Sequence, residues 1–155
     1  MHKSRWNFAL GLGFILVAAL ACNYSFTTAN ISNVKVSKEK SAATETSSFG
    51  PNDTVYAVAQ ISNTSDKHKI TGRILYDDVK GQDSGKPVPG AETTIDVPGA
   101  ASATFTLSPP TVGWPNGKYK VEVTMKDDSG KQVDQKSVTF SVSGGESSPS
   151  TSEEK

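Results

Sequence analysis

The chain has 155 residues, and 16 Lys and Arg side chains balance 16 Asp and Glu, so the formal net charge is zero. This length suits a single domain once an export segment is removed. The neutral balance and the lack of a basic patch argue against nucleic acid as a partner. The single cysteine excludes an intramolecular disulfide, so any folded domain depends on its core alone.

The first 21 residues have the three-part order of a secretory signal peptide. His2, Lys3 and Arg5 form a basic start, and an uncharged apolar run follows over residues 8–20. The run is short for a bilayer-spanning helix, which needs roughly 20 apolar residues. It closes with small residues at Ala18, Ala19 and Ala21. We therefore predict a signal peptide over residues 1–21.

The only cysteine, Cys22, directly follows these small residues. The segment Ala19-Leu20-Ala21-Cys22 resembles the lipobox of bacterial lipoproteins, in which the cysteine receives a diacylglycerol thioether and becomes the new N-terminus. The commonest lipobox has leucine three residues before the cysteine, whereas Leu20 stands two before it. The resemblance implies lipidation at Cys22 and an extracytoplasmic protein anchored to a membrane of the bacterial cell envelope. Stable attachment takes two acyl chains or more, which a diacylated cysteine supplies.

The same residues also satisfy A-x-A, the pattern cut by ordinary signal peptidase. On this second interpretation the chain is cut after Ala21, Cys22 keeps an unmodified thiol, and the domain is freely secreted. On the lipoprotein interpretation, residues 22–30 are a linker between the lipid anchor and the folded domain.

Apolar alternation predicts the first strands after this linker. Ile31, Val34 and Val36 mark the first strand, and residues 37–50 lack apolar periodicity and are expected to form a loop or irregular edge. Residues 53–62 form the next strand. Its core face carries Val55, Ala57, Ala59 and Ile61.

A further strand is predicted over residues 67–78. Its core face carries Ile70, Gly72, Ile74 and Tyr76. Lys69, Thr71 and Arg73 face the other way. The glycine in this pattern marks either a bulge or the close approach of another strand.

The following segment is less regular. Residues 79–90 are rich in Gly, Pro and charge and are predicted to be a long loop, with or without an edge strand. A weak strand follows over residues 92–97 and a better one over residues 101–107. Ala103, Phe105 and Leu107 alternate with hydroxyl residues in the better strand.

Residues 118–126 carry the cleanest alternation in the chain, which predicts a half-buried antiparallel strand. Its inward side chains are Tyr119, Val121, Val123 and Met125, and its outward ones are Lys118, Lys120, Glu122, Thr124 and Lys126. Residues 127–130 form a hairpin loop. The final strand contains Val138, Phe140 and Val142, with Val133 out of phase, so a bulge is expected between them. Residues 144–155 are expected to be a disordered tail.

About seven short strands, with turn signals between them, predict an all-β chain folded as an antiparallel β-sandwich over residues 31–143. The motif Gly117-x-Tyr119-x-Val121-x-Val123, preceded by Trp114-Pro115-Asn116, resembles the penultimate strand of bacterial immunoglobulin-like and fibronectin-type-III-like domains. This resemblance implies a tyrosine corner, in which the Tyr119 hydroxyl bonds back to the connection before it. The antibody-type Cys…Trp…Cys pattern is absent.

Little in the sequence indicates catalysis. His68 is the one histidine after the signal segment, and its neighbours Lys67 and Lys69 favour an exposed strand start over a catalytic base. No G-x-S-x-G motif occurs, so we predict no catalytic residue and no cofactor. A small carboxylate- or metal-dependent enzyme stays an alternative, which a cleft uniting Asp77, Asp78 and His68 would favour.

Two acidic groups could attract calcium. Asp77 and Asp78 lie near Asp83, and Asp127 precedes Asp128. Neither group has the D-x-[DN]-x-[DN]-G spacing of a calcium loop, so we expect solvated turn residues and no metal site.

Trp114 is the candidate ligand contact. An exposed indole in this loop could stack on a sugar or dock a partner, whereas a buried one would cap the end of the sandwich core.

These features predict a non-catalytic, membrane-anchored extracytoplasmic lipoprotein whose immunoglobulin-like domain serves binding, adhesion or envelope support. Its expected partners are the membrane, through the lipid on Cys22, and an unidentified envelope protein or glycan. The alternatives are a freely secreted binding module and the small enzyme described above.

Overall fold

The computed structural model describes residues 28–144, which form eight strands in two sheets. The predicted signal peptide, Cys22 and residues 145–155 of the predicted tail lie outside the described residues. The strands are β1 (Asn30–Ser37), β2 (Ser48–Phe49), β3 (Val55–Ser62), β4 (His68–Val79), β5 (Pro87–Val97), β6 (Ser102–Leu107), β7 (Gly117–Lys126) and β8 (Gln132–Val142). Within residues 28–144, no helix has the length and apolar character needed to cross a bilayer.

The two sheets have three and five strands. The small sheet has the order β1-β3-β6 and the large sheet the order β2-β8-β7-β4-β5. All neighbours are antiparallel except β2, which runs parallel to the end of β8. The first two strands therefore belong to different sheets, β1 to the small sheet and β2 to the large one. This is an immunoglobulin-like β-sandwich, and the predicted fold class is confirmed.

The core lies between the sheets, where the alternation of the sequence places it. The inward side chains of β7 are all fully buried: Tyr119, Val121, Val123 and Met125. The same holds in β3 for Val55, Ala57, Ala59 and Ile61. Fully burying one such large apolar side chain contributes about 1.5–3 kcal/mol. Antibody domains carry a disulfide cysteine two residues after the corner tyrosine, and Val121 occupies that position here.

Gly72 lies at a close contact between the two sheets. A Cβ atom built on this residue would stand 2.7 Å from the ring of Phe105, which projects from β6 of the small sheet. Gly72 is regularly paired with both β7 and β5, and the nearest register shift lies between Arg73 and Leu75 in the pairing with β5. Of the two readings predicted for this glycine, close approach of another strand is therefore correct, and the bulge is not present at Gly72.

Two bulges adjust the register at the edges of the sandwich. In β1 the register shifts between Ile31 and Asn33, which brings both Ile31 and Val34 inward despite their odd spacing. In β8, Lys126 pairs with Gln132 and Met125 with Asp134, so Val133 is the extra residue. The predicted bulge is present, and it lies at Val133 itself rather than between Val133 and Val138.

The bulge in β8 also joins the two sheets. The carboxylate of Asp134 accepts a hydrogen bond from the backbone N–H of Ile31 at 2.8 Å. The Lys136 ammonium donates to the carbonyl of Ser32 at 2.9 Å. These bonds tie β1 to β8 where β8 has no strand on the side away from β7, because β2 pairs only with residues 141–142. Side chains that occupy an exposed strand edge oppose its pairing with another chain.

The structure refines several predicted boundaries. Residues 37–50 were expected to form a loop or irregular edge, and they contain the two-residue edge strand β2. Its Phe49, which was not predicted as core, is 1% exposed and packs edge-on against Phe140 at 5.1 Å. The segment of residues 79–90, predicted as a long loop with or without an edge strand, contains the start of the edge strand β5, and the loop itself is limited to residues 80–86. Gly144 was assigned to the tail, but its N–H donates to the Asn116 side chain at 2.7 Å.

The contact at Gly72 predicts a stability loss that depends on Phe105. Gly72→Ala should lower the free energy of unfolding by about 1–3 kcal/mol, because the new methyl group overlaps the aromatic ring. Urea denaturation measures this loss. Gly50→Ala is the matched control, since its Cβ would meet Asp53 at an ordinary 3.5 Å.

A double-mutant cycle identifies the cause of that loss. Phe105→Leu removes ring atoms, so Gly72→Ala should cost less in that background than in the wild-type chain. Equal costs in both backgrounds would mean that the ring does not constrain Gly72.

Candidate binding groove

Trp114 and Tyr119 close one end of the core. The Tyr119 hydroxyl donates to the carbonyl of Pro115 at 2.7 Å, so the predicted tyrosine corner is present. The indole N–H of Trp114 donates to the carbonyl of Asp53 at 2.8 Å. Trp114 is 2% exposed, and its ring meets that of Tyr119 edge-on at 5.8 Å. This geometry is the core cap considered for Trp114, and its covered indole faces do not fit a surface stacking contact.

His68 is buried, and its predicted exposure was wrong. It is 5% exposed, and its Nδ1 lies 3.0 Å from the carbonyl oxygen of Asp66. The flanking lysines pointed to the surface, but His68 shares the strand face of Ile70 and therefore turns inward. That shared parity was the sequence signal for the buried position.

The residues considered for an enzyme lie far apart. His68 and Asp77 stand nine positions apart on the same strand, β4, which separates them by about 30 Å. Asp77 forms an ion pair with Lys120, at 3.5 Å. The cleft that would have united Asp77, Asp78 and His68 is therefore not formed.

Two carboxylates have local hydrogen-bond partners that lower their pKa values. Asp127 accepts hydrogen bonds from the Ser129 hydroxyl and from the N–H groups of Ser129 and Lys131. The Ser129 hydroxyl bond, followed by the backbone bonds, lowers the pKa of Asp127. The Lys38 ammonium, 2.8 Å away, and the Gly50 N–H similarly lower the pKa of Asp53. Among residues 28–144, no three His, Cys, Asp or Glu side chains cluster as metal ligands would.

Several charged side chains on the outer face of the large sheet are paired with one another. Glu122 points outward, as predicted, but it is only 8% exposed because it accepts from Arg73 at 2.8 Å and from Gln135 at 2.6 Å. Further pairs on this face join Lys69 to Asp96 and Thr71 to Thr94. These charged groups thus bind each other, whereas Lys118 and Lys126 on the same face are exposed.

The outer face of the small sheet instead carries a groove of about 380 Å³. Its lining residues are Asn33, Lys35, Ser41, Val58, Gln60, Ser102 and Thr104. Six of them form two rungs across the three strands, one of Asn33, Gln60 and Ser102 and one of Lys35, Val58 and Thr104. The connection between β1 and β2 supplies the seventh, Ser41. A volume of this size lies at the lower end of the range of small-molecule sites, roughly 300–1,000 Å³.

The polar groups of this groove are only partly paired. The Ser102 hydroxyl donates to the Gln60 side-chain carbonyl at 2.7 Å, which leaves the Gln60 NH₂ as a donor. Within residues 28–144, the side chains of Lys35, Asn33 and Thr104 make no hydrogen bond or ion pair with protein groups. No carboxylate lines the groove. The groove is therefore rich in donors and carries one positive charge.

Sequence reasoning identified none of these residues as a site. The alternation of β3 and β6 did assign Gln60, Ser102 and Thr104 to outward faces. It could not show that β1, β3 and β6 lie side by side, because strand order depends on contacts distant in sequence.

Comparisons with known proteins give distant structural likeness. No family model matches the chain, and no curated protein matches it. Among solved structures, the chain is similar to the soluble domain of PmoD from Methylocystis sp. ATCC 49242 (Rockwell), at 15% identity and TM-score 0.42, covering 72% of this chain and 90% of that one.

Two other solved structures show a similar level of likeness. The immunoglobulin-like protein PA1606 from Pseudomonas aeruginosa has 17% identity and TM-score 0.41, with 74% of this chain and 96% of that chain covered. β-Glucuronidase 2 of Bacteroides uniformis has 11% identity and TM-score 0.46, with 74% of this chain but 14% of that chain covered. Likeness this distant carries no inference about activity or ligands.

The tyrosine corner predicts a specific stability loss. Tyr119→Phe should lower the free energy of unfolding by about 1–3 kcal/mol, because the Pro115 carbonyl loses its donor inside the protein. Urea denaturation measures the change. Tyr56→Phe is the control, since this half-buried tyrosine makes no hydroxyl hydrogen bond within residues 28–144. Equal losses in the two variants would contradict a special role for the corner.

The same residue predicts an alkaline limit on stability. Burial, and secondarily the nearby Tyr76, raise the pKa of Tyr119 to about 12. A raised folded-state pKa means that the stabilisation is complete below pH 10, the ordinary value, and is lost as the pH rises towards 12. Thermal denaturation should show Tm falling across this window in the wild type and falling less in Tyr119→Phe. Parallel Tm curves would show that Tyr119 ionisation does not limit stability.

Proposed function

We propose that this chain is a bacterial lipoprotein, held at the extracytoplasmic face of a membrane through a lipid on Cys22. Its immunoglobulin-like domain then has a non-catalytic role in binding or in support of an envelope complex. The observation that carries this proposal is the position of the only cysteine, directly after a signal-like segment. The sandwich core of residues 28–144 contains no thiol, so folding does not account for Cys22.

The position of β1 supports a short tether. β1 begins at Asn30, eight residues after Cys22, so even a fully extended connection spans no more than roughly 28 Å. Asn30 pairs with Ser62, at the end of the sandwich that carries the turns 63–67, 98–101 and 127–131. In this proposal that end faces the membrane, and the end closed by Trp114 faces away.

A binding role is supported by the groove on the small sheet. It is a concave site lined by polar side chains, and several of them have no partner among residues 28–144. A catalytic role has less support, because His68 lies buried about 30 Å along β4 from Asp77.

The anchor is tested by Cys22→Ser in the full-length chain. We expect loss of labelling by an alkyne fatty acid and a shift from the membrane fraction to the soluble extracytoplasmic fraction, because no thioether can form. The Tm of the purified variant should match the wild type, since the core uses no thiol. Ser25→Ala, three residues away, is the control and should keep both labelling and membrane association.

Mass spectrometry of the mature N-terminus separates the lipoprotein from the secreted module. A wild-type chain that begins with an unmodified Cys22 would support the freely secreted alternative. A Cys22→Ser variant that stays in the membrane fraction after processing would rule out the thioether anchor.

A further inference from the structure

The two outer faces of the sandwich differ in how far they satisfy their own polar groups. On the large sheet, Glu122 binds both Arg73 and Gln135, and Lys120 faces Asp77. Those groups already have partners, so binding a ligand there would require breaking ion pairs. On the small sheet, Lys35 has no carboxylate partner among residues 28–144. The small sheet is the face on which this lysine lines a groove together with amide and hydroxyl side chains.

The groove on the small sheet has a regular geometry. Lys35, Val58 and Thr104 form one rung, and Asn33 and Gln60 belong to the next rung on the same face. Neighbouring strands lie about 4.8 Å apart, and residues two apart on a strand about 6.8 Å apart. The ammonium, two amides and a hydroxyl therefore surround an area of about 10 Å by 7 Å.

We propose that this groove binds a small acidic saccharide, with its carboxylate on Lys35 and its hydroxyls on Asn33, Gln60 and Thr104. The inference deepens the binding role of the proposed function and rests on it. A carboxylate matches the single positive charge, because no acidic side chain lines the groove to neutralise Lys35. Charge-assisted hydrogen bonds of this kind are shorter and stronger than neutral ones.

The rest of the groove distinguishes a saccharide from a simple anion. Val58 forms an apolar floor between the polar side chains, which suits the C–H face of a sugar ring. Tyr56 lies one rung further along β3 on the same face and is half-buried, so its ring offers a second apolar surface. Amide groups such as those of Asn33 and Gln60 both donate and accept, as sugar hydroxyls do.

The test is calorimetric titration of the full-length protein in detergent micelles. The probes are the dimer of galacturonic acid and the neutral dimer of galactose. The wild type should bind the acidic dimer at least about tenfold more tightly, the ratio that one charge-assisted contact provides. Lys35→Gln should abolish this preference while leaving the affinity for the neutral dimer unchanged. Thr104→Val should weaken both dimers severalfold and keep the preference.

Lys118→Gln is the matched control, because Lys118 is an exposed lysine on the outer face of the large sheet. It should bind both dimers as the wild type does. The inference is overturned if neither dimer binds, if both bind equally, or if Lys35→Gln and Lys118→Gln behave alike. Competition by inorganic phosphate at the same concentration as the acidic dimer would show a general anion site and would also overturn it.

Fractionation of the same variants keeps the two proposals separate. Lys35→Gln should remain in the membrane fraction, since its anchor is intact. Absent saccharide binding with normal membrane association would end this inference and leave the lipoprotein anchor standing. Wild-type protein that is found in the soluble fraction but still binds the acidic dimer through Lys35 would support this inference and end the lipoprotein anchor.

Discussion

The side chain of Tyr119 contacts several parts of the sandwich that no disulfide holds together. Its ring stacks on Phe140 of β8 at 5.3 Å and meets Trp114 edge-on, while its hydroxyl holds the carbonyl of Pro115. Trp114 in turn holds the carbonyl of Asp53, just before β3 of the opposite sheet. One aromatic cluster thus closes the end of the core and fixes the connection that crosses it. Because no disulfide joins the two sheets, this packing keeps them aligned.

Because no disulfide cross-links the sheets, close packing also holds the rest of the core together. Gly72 lets Phe105 reach across from the small sheet, so the two sheets meet where any larger residue would hold them apart. At the opposite edge, Asp134 and Lys136 bond to the backbone of β1. The outer faces differ: Glu122 and its partners are paired on the large sheet, and the small sheet presents donors around a groove.

Local sequence patterns predicted the strands and their inward faces well where one face of the strand is buried and the other is exposed to solvent. The alternation in β7 named its buried residues correctly, and the odd phase of Val133 predicted a bulge. Prediction failed where burial comes from distant residues. Phe49 stands alone in a polar stretch and becomes core only because Phe140 packs on it. His68 looked exposed beside two lysines, although its parity with Ile70 places it inside.

By itself, the sequence determined the all-β class and the inward faces of β3 and β7, because these depend on side-chain period, which a linear pattern records directly. The tyrosine corner was predicted from a resemblance to immunoglobulin-like domains, and the lipidation of Cys22 from the resemblance of residues 19–22 to a lipobox. Tertiary structure alone decided the order of the strands, the burial of Trp114 and the groove. The two rungs of the groove bring together β1 and β6, which are about 70 positions apart in the chain. Such neighbours are set by which strands pair through β3, and no local period specifies that pairing.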